Sequence, residues 1–192
     1  MQAGNCRTTT NGVFPMQDSK QIDEGFMRQA LAQAEVALKN GWIPVGAVFV
    51  RDGRIIAHGC KTGTVHTHFD HAEHNGCYQA LWSREGPKNL EGVTVYSTME
   101  PCVMCMSMLM TTRVARIVYG IDDPYGGGSF MLTRPEHLPE RFREEHPRLT
   151  CAVLEAESVA LLRQFFLAQE DTGSWSDRTN VLVRRVLEYT GR

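Results

Sequence analysis

The chain has 192 residues, 42% of them hydrophobic, enough to bury one real core and too few for two comfortable domains. Lys and Arg number 20 against 22 Asp and Glu, and the net charge of −2 excludes a whole-molecule electrostatic footprint for nucleic acid. No run of the sequence is apolar and long enough to span a membrane, and the polar start lacks a signal-peptide core, so a cytoplasmic protein with reduced thiols at Cys6, Cys60, Cys77 and Cys151 is expected.

Residues 1–17, rich in Thr, Gly and Asn, are expected to be a mobile segment ahead of a domain spanning 18–169. An amphipathic helix is predicted from residue 18 or 19 to 40, with Ile22, Phe26, Ala30, Leu31, Ala34 and Leu38 at helical spacing and Gly41 as its stop. Two β-prone runs, 44–50 and 54–57, flank Asp52-Gly53, the dipeptide that most strongly marks a tight hairpin. A loop over 59–70 leads into a helix through Trp82, with Asp70 as its expected N-cap and His71 in its first turn. A strand at 93–98 is followed by a second helix with Pro101 in its first position. Then come a strand at 114–120, a glycine-rich loop over 122–129, a short polar helix at 135–146, a strand at 150–154 and an apolar helix at 155–168. Residues 170–192 read as a linker and a last helix, starting at Ser176 or Asp177, that packs on the same domain or on a partner subunit. Strands alternating with helices after the hairpin predict an α/β protein with a mixed sheet covered on both faces.

Two short stretches carry the chemistry: His71-Ala72-Glu73, and Pro101-Cys102-Val103-Met104-Cys105. A histidine and two cysteines are three zinc ligands, one fewer than a closed structural site takes, which leaves the fourth position to water. Such a site lowers the pKa of that water toward ~7, and a nearby carboxylate can carry its proton. Glu73 is the candidate carrier, because two residues along a helix turn it some ~200° away from His71, outside the ligand set but beside the same cavity. Cys102 and Cys105, three apart, share one helix face. Blander readings of the same residues are a redox CxxC, or a structural zinc closed by His66, His68 or His74. Met104, Met106, Met108 and Met110 scatter around their helix and read as pliable core, as do Phe165 and Phe166.

HAE followed by PCVMC resembles the signature of the zinc-dependent cytidine/adenosine (nucleobase and nucleoside) deaminase superfamily. The resemblance implies a three-layer α/β/α sandwich with about five strands, one Zn2+ per chain held by His71, Cys102 and Cys105, and Glu73 as the catalytic acid and base. It also implies a homodimer, since active sites in this superfamily are commonly completed at subunit contacts. The strand PVGAV, Glu100 ahead of PCxxC, and LLRQFF look like the branch containing tRNA adenosine deaminases and guanine deaminases. Purine-binding members of that branch generally carry Asn in a Gly-x-Asn context after the second strand. Here Gly59-Cys60-Lys61 puts in its place a cation that only donates. The segment LAQEDTGSWSD after the paired phenylalanines also lacks the basic residues of the tRNA enzymes. A small amino-heterocycle, as free base or nucleoside, is therefore the expected substrate. tRNA is the alternative, and a noncatalytic zinc-stabilised binding module the second alternative. Lys61, Asp70, Ala72 and Glu100 are the expected substrate contacts, with His66, His68 and the 126–129 loop as further pocket residues.

Overall fold

A computed structural model describes residues 16–63, 68–82, 88–144, 146–169 and 180–191. Five strands form one sheet in the order β2-β1-β3-β4-β5, where β1 is Gly46–Arg51, β2 Arg54–Cys60, β3 Thr94–Met99, β4 Arg116–Ile121 and β5 Arg148–Thr150. β1 runs antiparallel to β2 and β3, whereas β3, β4 and β5 are parallel, so the sheet is mixed as expected. The turn residues Asp52 and Gly53 have φ of 51° and 71°, the two positive values that a type I′ hairpin requires.

Alternation along the strands assigns their side chains to two layers. Ala47, Phe49, Val95 and Ile117 face α2 (Ala72–Leu81) and α3 (Val103–Thr111), and pack with Cys77, Met106, Leu109 and Met110. Val48, Val50, Tyr96 and Val118 face α1 (Met16–Lys39) and pack with Met27, Ala30 and Leu31. The α1 face also holds a polar staple. Arg116 on β4 donates to both oxygens of the buried Asp23 on α1, at 2.8 and 2.6 Å, and the Tyr96 hydroxyl donates to Asp23 at 2.9 Å. The result is the three-layer α/β/α sandwich.

Several boundaries differ from expectation for local reasons. β2 runs on to Cys60 because β1 keeps pairing with it down to Gly46↔Cys60, and because Gly59 lets the α2 backbone at Ala72 and Gly76 rest on the strand, where a Cβ would collide. The expected helix over 135–146 is broken into a 3-10 turn at Pro135–His137 and α5 at Arg141–Glu144, after a single-turn α4 at Phe130–Thr133; Pro139 cannot continue the helical hydrogen bonds. β5 stops at Thr150, where Ala152 and Leu154 take left-handed φ of 61° and 52° and turn the chain into α6. α6 itself, Glu155–Ala168, has the predicted ends.

The last helix is shorter than expected. α7 (Val181–Leu187) starts at Asn180, whose side chain accepts from the amides of Leu182 and Val183. Its Leu182, Val183 and Val186 pack with Val159, Leu162 and the buried Phe165 and Phe166 of α6. Arg163 on α6 donates to the carbonyls of Val186, Leu187 and Tyr189, which satisfies the open end of α7. Cys60 and Cys77 are free thiols. Cys151, half-exposed just past the edge strand β5, is disulfide-bonded, which corrects the expectation of a free thiol there. Residues 1–15, 64–67 and 170–179 lie outside the described residues, and with them Cys6, His66, the expected linker and the caps proposed at Ser176 and Asp177.

Candidate metal centre and active site

The two metal motifs lie at the N-terminal ends of two helices that meet above the sheet. His71, not Asp70, is the N-cap of α2: its backbone is extended (φ −76°, ψ 154°) and its carbonyl accepts the first helical bond, from Asn75. Cys102 likewise caps α3, its backbone extended (φ −65°, ψ 169°) and its carbonyl accepting from Met106, so Pro101 precedes the helix and does not open it. The His71 side chain makes no bond to its own helix and faces the thiols of Cys102 and Cys105, while the Cys102 thiol is bonded to both His71 and Cys105.

His71 Nδ1 lies 3.5 Å from Cys102 Sγ and 3.6 Å from Cys105 Sγ, and the three ligand atoms all fall within 4.8 Å of one another. Tetrahedral zinc with Zn–N and Zn–S bonds of about 2.0 and 2.3 Å requires an N···S separation of roughly 3.5 Å. The donor set therefore fits zinc in both chemistry and spacing. Among the described residues no fourth His, Cys, Asp or Glu joins this cluster; His68 and His74 stay outside it. The ends of α2 and α3 place partial positive charge beside the thiols. Within the ligand set a hydrogen bond from Cys105, opposed by burial, brings the Cys102 thiol down to about 4, while Cys105 is pushed far up by that same bond and by burial. The hydrogen bond to Cys102, opposed by burial, raises the pKa of His71.

Glu73, in the first turn of α2, is only 3% exposed, and its Oε1 accepts from the Ser97 hydroxyl on β3 at 2.7 Å. Burial raises its pKa, with the Ser97 bond as the largest opposing influence. The charge of the same carboxylate acts on Cys105 of the ligand set. The acid thus sits beside the metal centre in a dry environment, where a carboxyl group exchanges protons nearer neutral pH than it does in water.

Glu100, an expected substrate contact, stands on the wall of the cavity over the centre with its carboxylate already engaged. Both of its oxygens are taken by backbone amides, Oε2 by Asp123 and Oε1 by Ser129, at 2.8 and 2.9 Å. It ties the glycine-rich loop to the start of α3, and the loop closes on that helix through a bridge from Gly127 to Cys102 and a bond from the Gly128 amide to the Pro101 carbonyl. Gly127 passes so close to the Glu100 carboxylate that a Cβ would collide with it.

A cavity of about 630 Å³ opens over the centre, lined among others by Lys61, Ala72, Glu73, Glu100, Asp123 and Tyr125. Of the expected contacts, Lys61, Ala72 and Glu100 lie on this wall, as do His68 and Gly126. Asp70 does not line it; its carbonyl accepts from the Thr62 amide and its charge acts on Lys61. Lys61 is 8% exposed and its pKa is lowered by desolvation. Its stretch of chain is held by its own amide bonding to Val45 and by Asn75 donating to Cys60 and Thr62. Sequence reasoning missed Asp123 and Ser97. Ser97 had one legible signal, a polar residue on the face of β3 that otherwise carries Val95 and Met99.

Comparison with known proteins places this centre. The family model described as the cytidine and deoxycytidylate deaminase zinc-binding region matches residues 20–121. The chain is 35% identical over 148 residues to the tRNA-specific adenosine deaminase of Agrobacterium fabrum, covering 73% of this chain and 91% of that protein. With that of Bacillus subtilis it shares 37% over 148 residues, covering 75% and 88%. Among solved structures, one from biochemical and structural studies of A-to-I editing by tRNA:A34 deaminases at the wobble position of transfer RNA superposes with a TM-score of 0.63 at 33% identity, covering 72% of this chain and 99% of that one. A diaminohydroxyphosphoribosylaminopyrimidine deaminase/reductase from Thermotoga maritima gives a TM-score of 0.59 at 29% identity, covering 80% of this chain and 42% of that one. Fold and centre together define a zinc-dependent hydrolase that deaminates. The chain belongs to the cytidine and deoxycytidylate deaminase zinc-binding family. Among the described residues no helix is long and apolar enough to cross a membrane.

Proposed function

We propose that this protein deaminates an adenosine in the anticodon loop of a tRNA, which reverses the order of substrates expected from the sequence. The observation that carries the reading is the extent of the likeness to tRNA-specific adenosine deaminases, which runs over about nine-tenths of each relative. Zinc, when bound by His71, Cys102 and Cys105, lowers the pKa of a water in its open position toward ~7. Glu73 takes the proton of the attacking water and returns protons to the ring nitrogen and to the departing amino group, so that water and the amino-purine give the oxo-purine and ammonia.

The cavity of about 630 Å³ suits one nucleoside and no base pair, which requires the base to be unstacked and swung inward. Tyr125, 69% exposed at the cavity wall, offers a face on which a neighbouring base stacks. Lys61 donates to an acceptor on the bound nucleotide, with Asp70 tuning its charge, Ala72 forms part of the wall, and Glu100 acts through the loop it anchors. A cytoplasmic homodimer belongs to the same proposal.

A free base or nucleoside is the second reading, favoured by the donor-only Lys61 and by a net charge of −2. One experiment separates the two. Zinc-loaded protein is given an anticodon stem-loop with adenosine at the wobble position and, separately, free adenosine, adenine, guanine and cytosine. Inosine in the stem-loop, formed more slowly as salt rises, is expected. Ammonia released only from the free compounds overturns the tRNA reading in favour of the second.

A further inference from the structure

We propose that Ser97 is a positioning residue for the reaction: its hydroxyl holds Oε1 of Glu73 so that the carboxylate stays a proton carrier beside the metal and does not become a fourth protein ligand. The inference rests on the reading of Glu73 as the proton carrier. Two observations carry it. The first is the bond itself, 2.7 Å from Ser97 Oγ to Glu73 Oε1, with Ser97 0% and Glu73 3% exposed, so no water competes for that oxygen. The second is where Ser97 stands. It lies on β3, the middle strand of five, paired with Ala47 on one side and Tyr119 on the other. A hydroxyl on a strand hydrogen-bonded on both edges is among the least mobile donors the fold can offer.

The need for such a donor follows from the acid's surroundings. Glu73 lines the same cavity as His71 and Cys102, and its charge acts on Cys105, so it lies close to the centre that the three ligands define. A carboxylate is itself a good zinc ligand, and one more protein ligand would close the position that catalysis leaves to water. A hydrogen bond to one oxygen opposes that swing and fixes the direction of the remaining lone pairs. An apolar residue of similar size at 97 would leave the oxygen without a partner and the side chain free to turn.

The test compares Ser97→Ala and Ser97→Cys with Thr98→Val. Thr98, on the opposite face of the same strand, accepts from the Gly46 amide through its hydroxyl, so Thr98→Val removes a buried hydrogen bond outside the site. For Ser97→Ala, kcat should fall about 10- to 100-fold with KM within about twofold, while zinc is released to a chelator no faster than from the wild type. Ser97→Cys, nearly isosteric and a weak donor, should fall between the two. Thr98→Val should lower Tm at least as much and leave kcat within about twofold. The proposal is overturned if Ser97→Ala keeps the wild-type kcat, if Thr98→Val loses as much kcat, or if Ser97→Ala releases zinc faster, since the hydroxyl would then be supporting the ligands. Turnover that survives in Glu73→Gln would sink the underlying reading of Glu73. A dead Glu73→Gln beside a fully active Ser97→Ala would sink only the role of Ser97.

Discussion

The two faces of the sheet each bury an acid, and the acids are treated in opposite ways. On the α1 face, Asp23 is locked by the Arg116 guanidinium on both oxygens and by the Tyr96 hydroxyl. On the α2/α3 face, Glu73 receives the Ser97 hydroxyl and borders the ligand set, and burial drives it toward its protonated form. A carboxylate held on both oxygens by a forked cation staples a helix to a sheet. One buried with a single hydroxyl and a metal centre for company is poised to gain and lose a proton. Burial alone does not distinguish a structural acid from a catalytic one; the kind and number of its donors do.

Replacing residues on either side sharpens that contrast. The largest effect is expected from Cys105→Ala, which removes a fully buried ligand: after dialysis against a chelator, metal analysis should find no zinc and ammonia release should be abolished. Glu73→Gln comes next. It should keep its zinc and lose about 10²- to 10⁴-fold in kcat, the usual contribution of a proton carrier, with little change in Tm. Asp23→Ala should do the reverse. It leaves Arg116, 22% exposed, without its partner and should cost about 3 kcal/mol in denaturant unfolding, while kcat per folded molecule stays within about twofold. If Asp23→Ala cost activity and no stability, the division of labour between the faces would collapse.

The smallest effect is expected from Tyr96→Phe, about 1 kcal/mol at neutral pH for one buried hydrogen bond. It also carries a pH signature. Burial, together with Asp23, raises the pKa of the Tyr96 phenol above its ordinary value. A group whose folded pKa is raised contributes its full stability below the unfolded value, ~10 for tyrosine, and loses that contribution as pH rises toward the folded one. Thermal melting above about pH 10 should therefore decline more steeply in the wild type than in Tyr96→Phe.

What could be read in advance divides along the same line as local and long-range contact. The Asp52-Gly53 hairpin and both ends of α6 were legible because turn chemistry and helical periodicity act over a few residues. The metal motifs were legible because ligand type and short spacing are themselves the signal. Helix starts at the site slipped by one or two residues, since His71 and Cys102 take N-cap positions although neither is a preferred capping residue. That both oxygens of Glu100 are held by amides 23 and 29 residues further on could not be foreseen from its neighbours. The proposed substrate order inverts the sequence reading for a related reason: Lys61 and the missing basic segment speak of single contacts, whereas the likeness to tRNA-specific relatives covers about three-quarters of the chain.

The order of residues along the chain was enough to set the chemistry, because a histidine, two cysteines and an acid at those intervals on two helix starts leave zinc one open position. Only folding in three dimensions decided how the acid is held. Ser97 and Glu73 are 24 positions apart, and Asp23 and Arg116 are 93 apart. No local preference encodes such pairs; they exist because β3 runs through the middle of a sheet with one helical layer above it and another below.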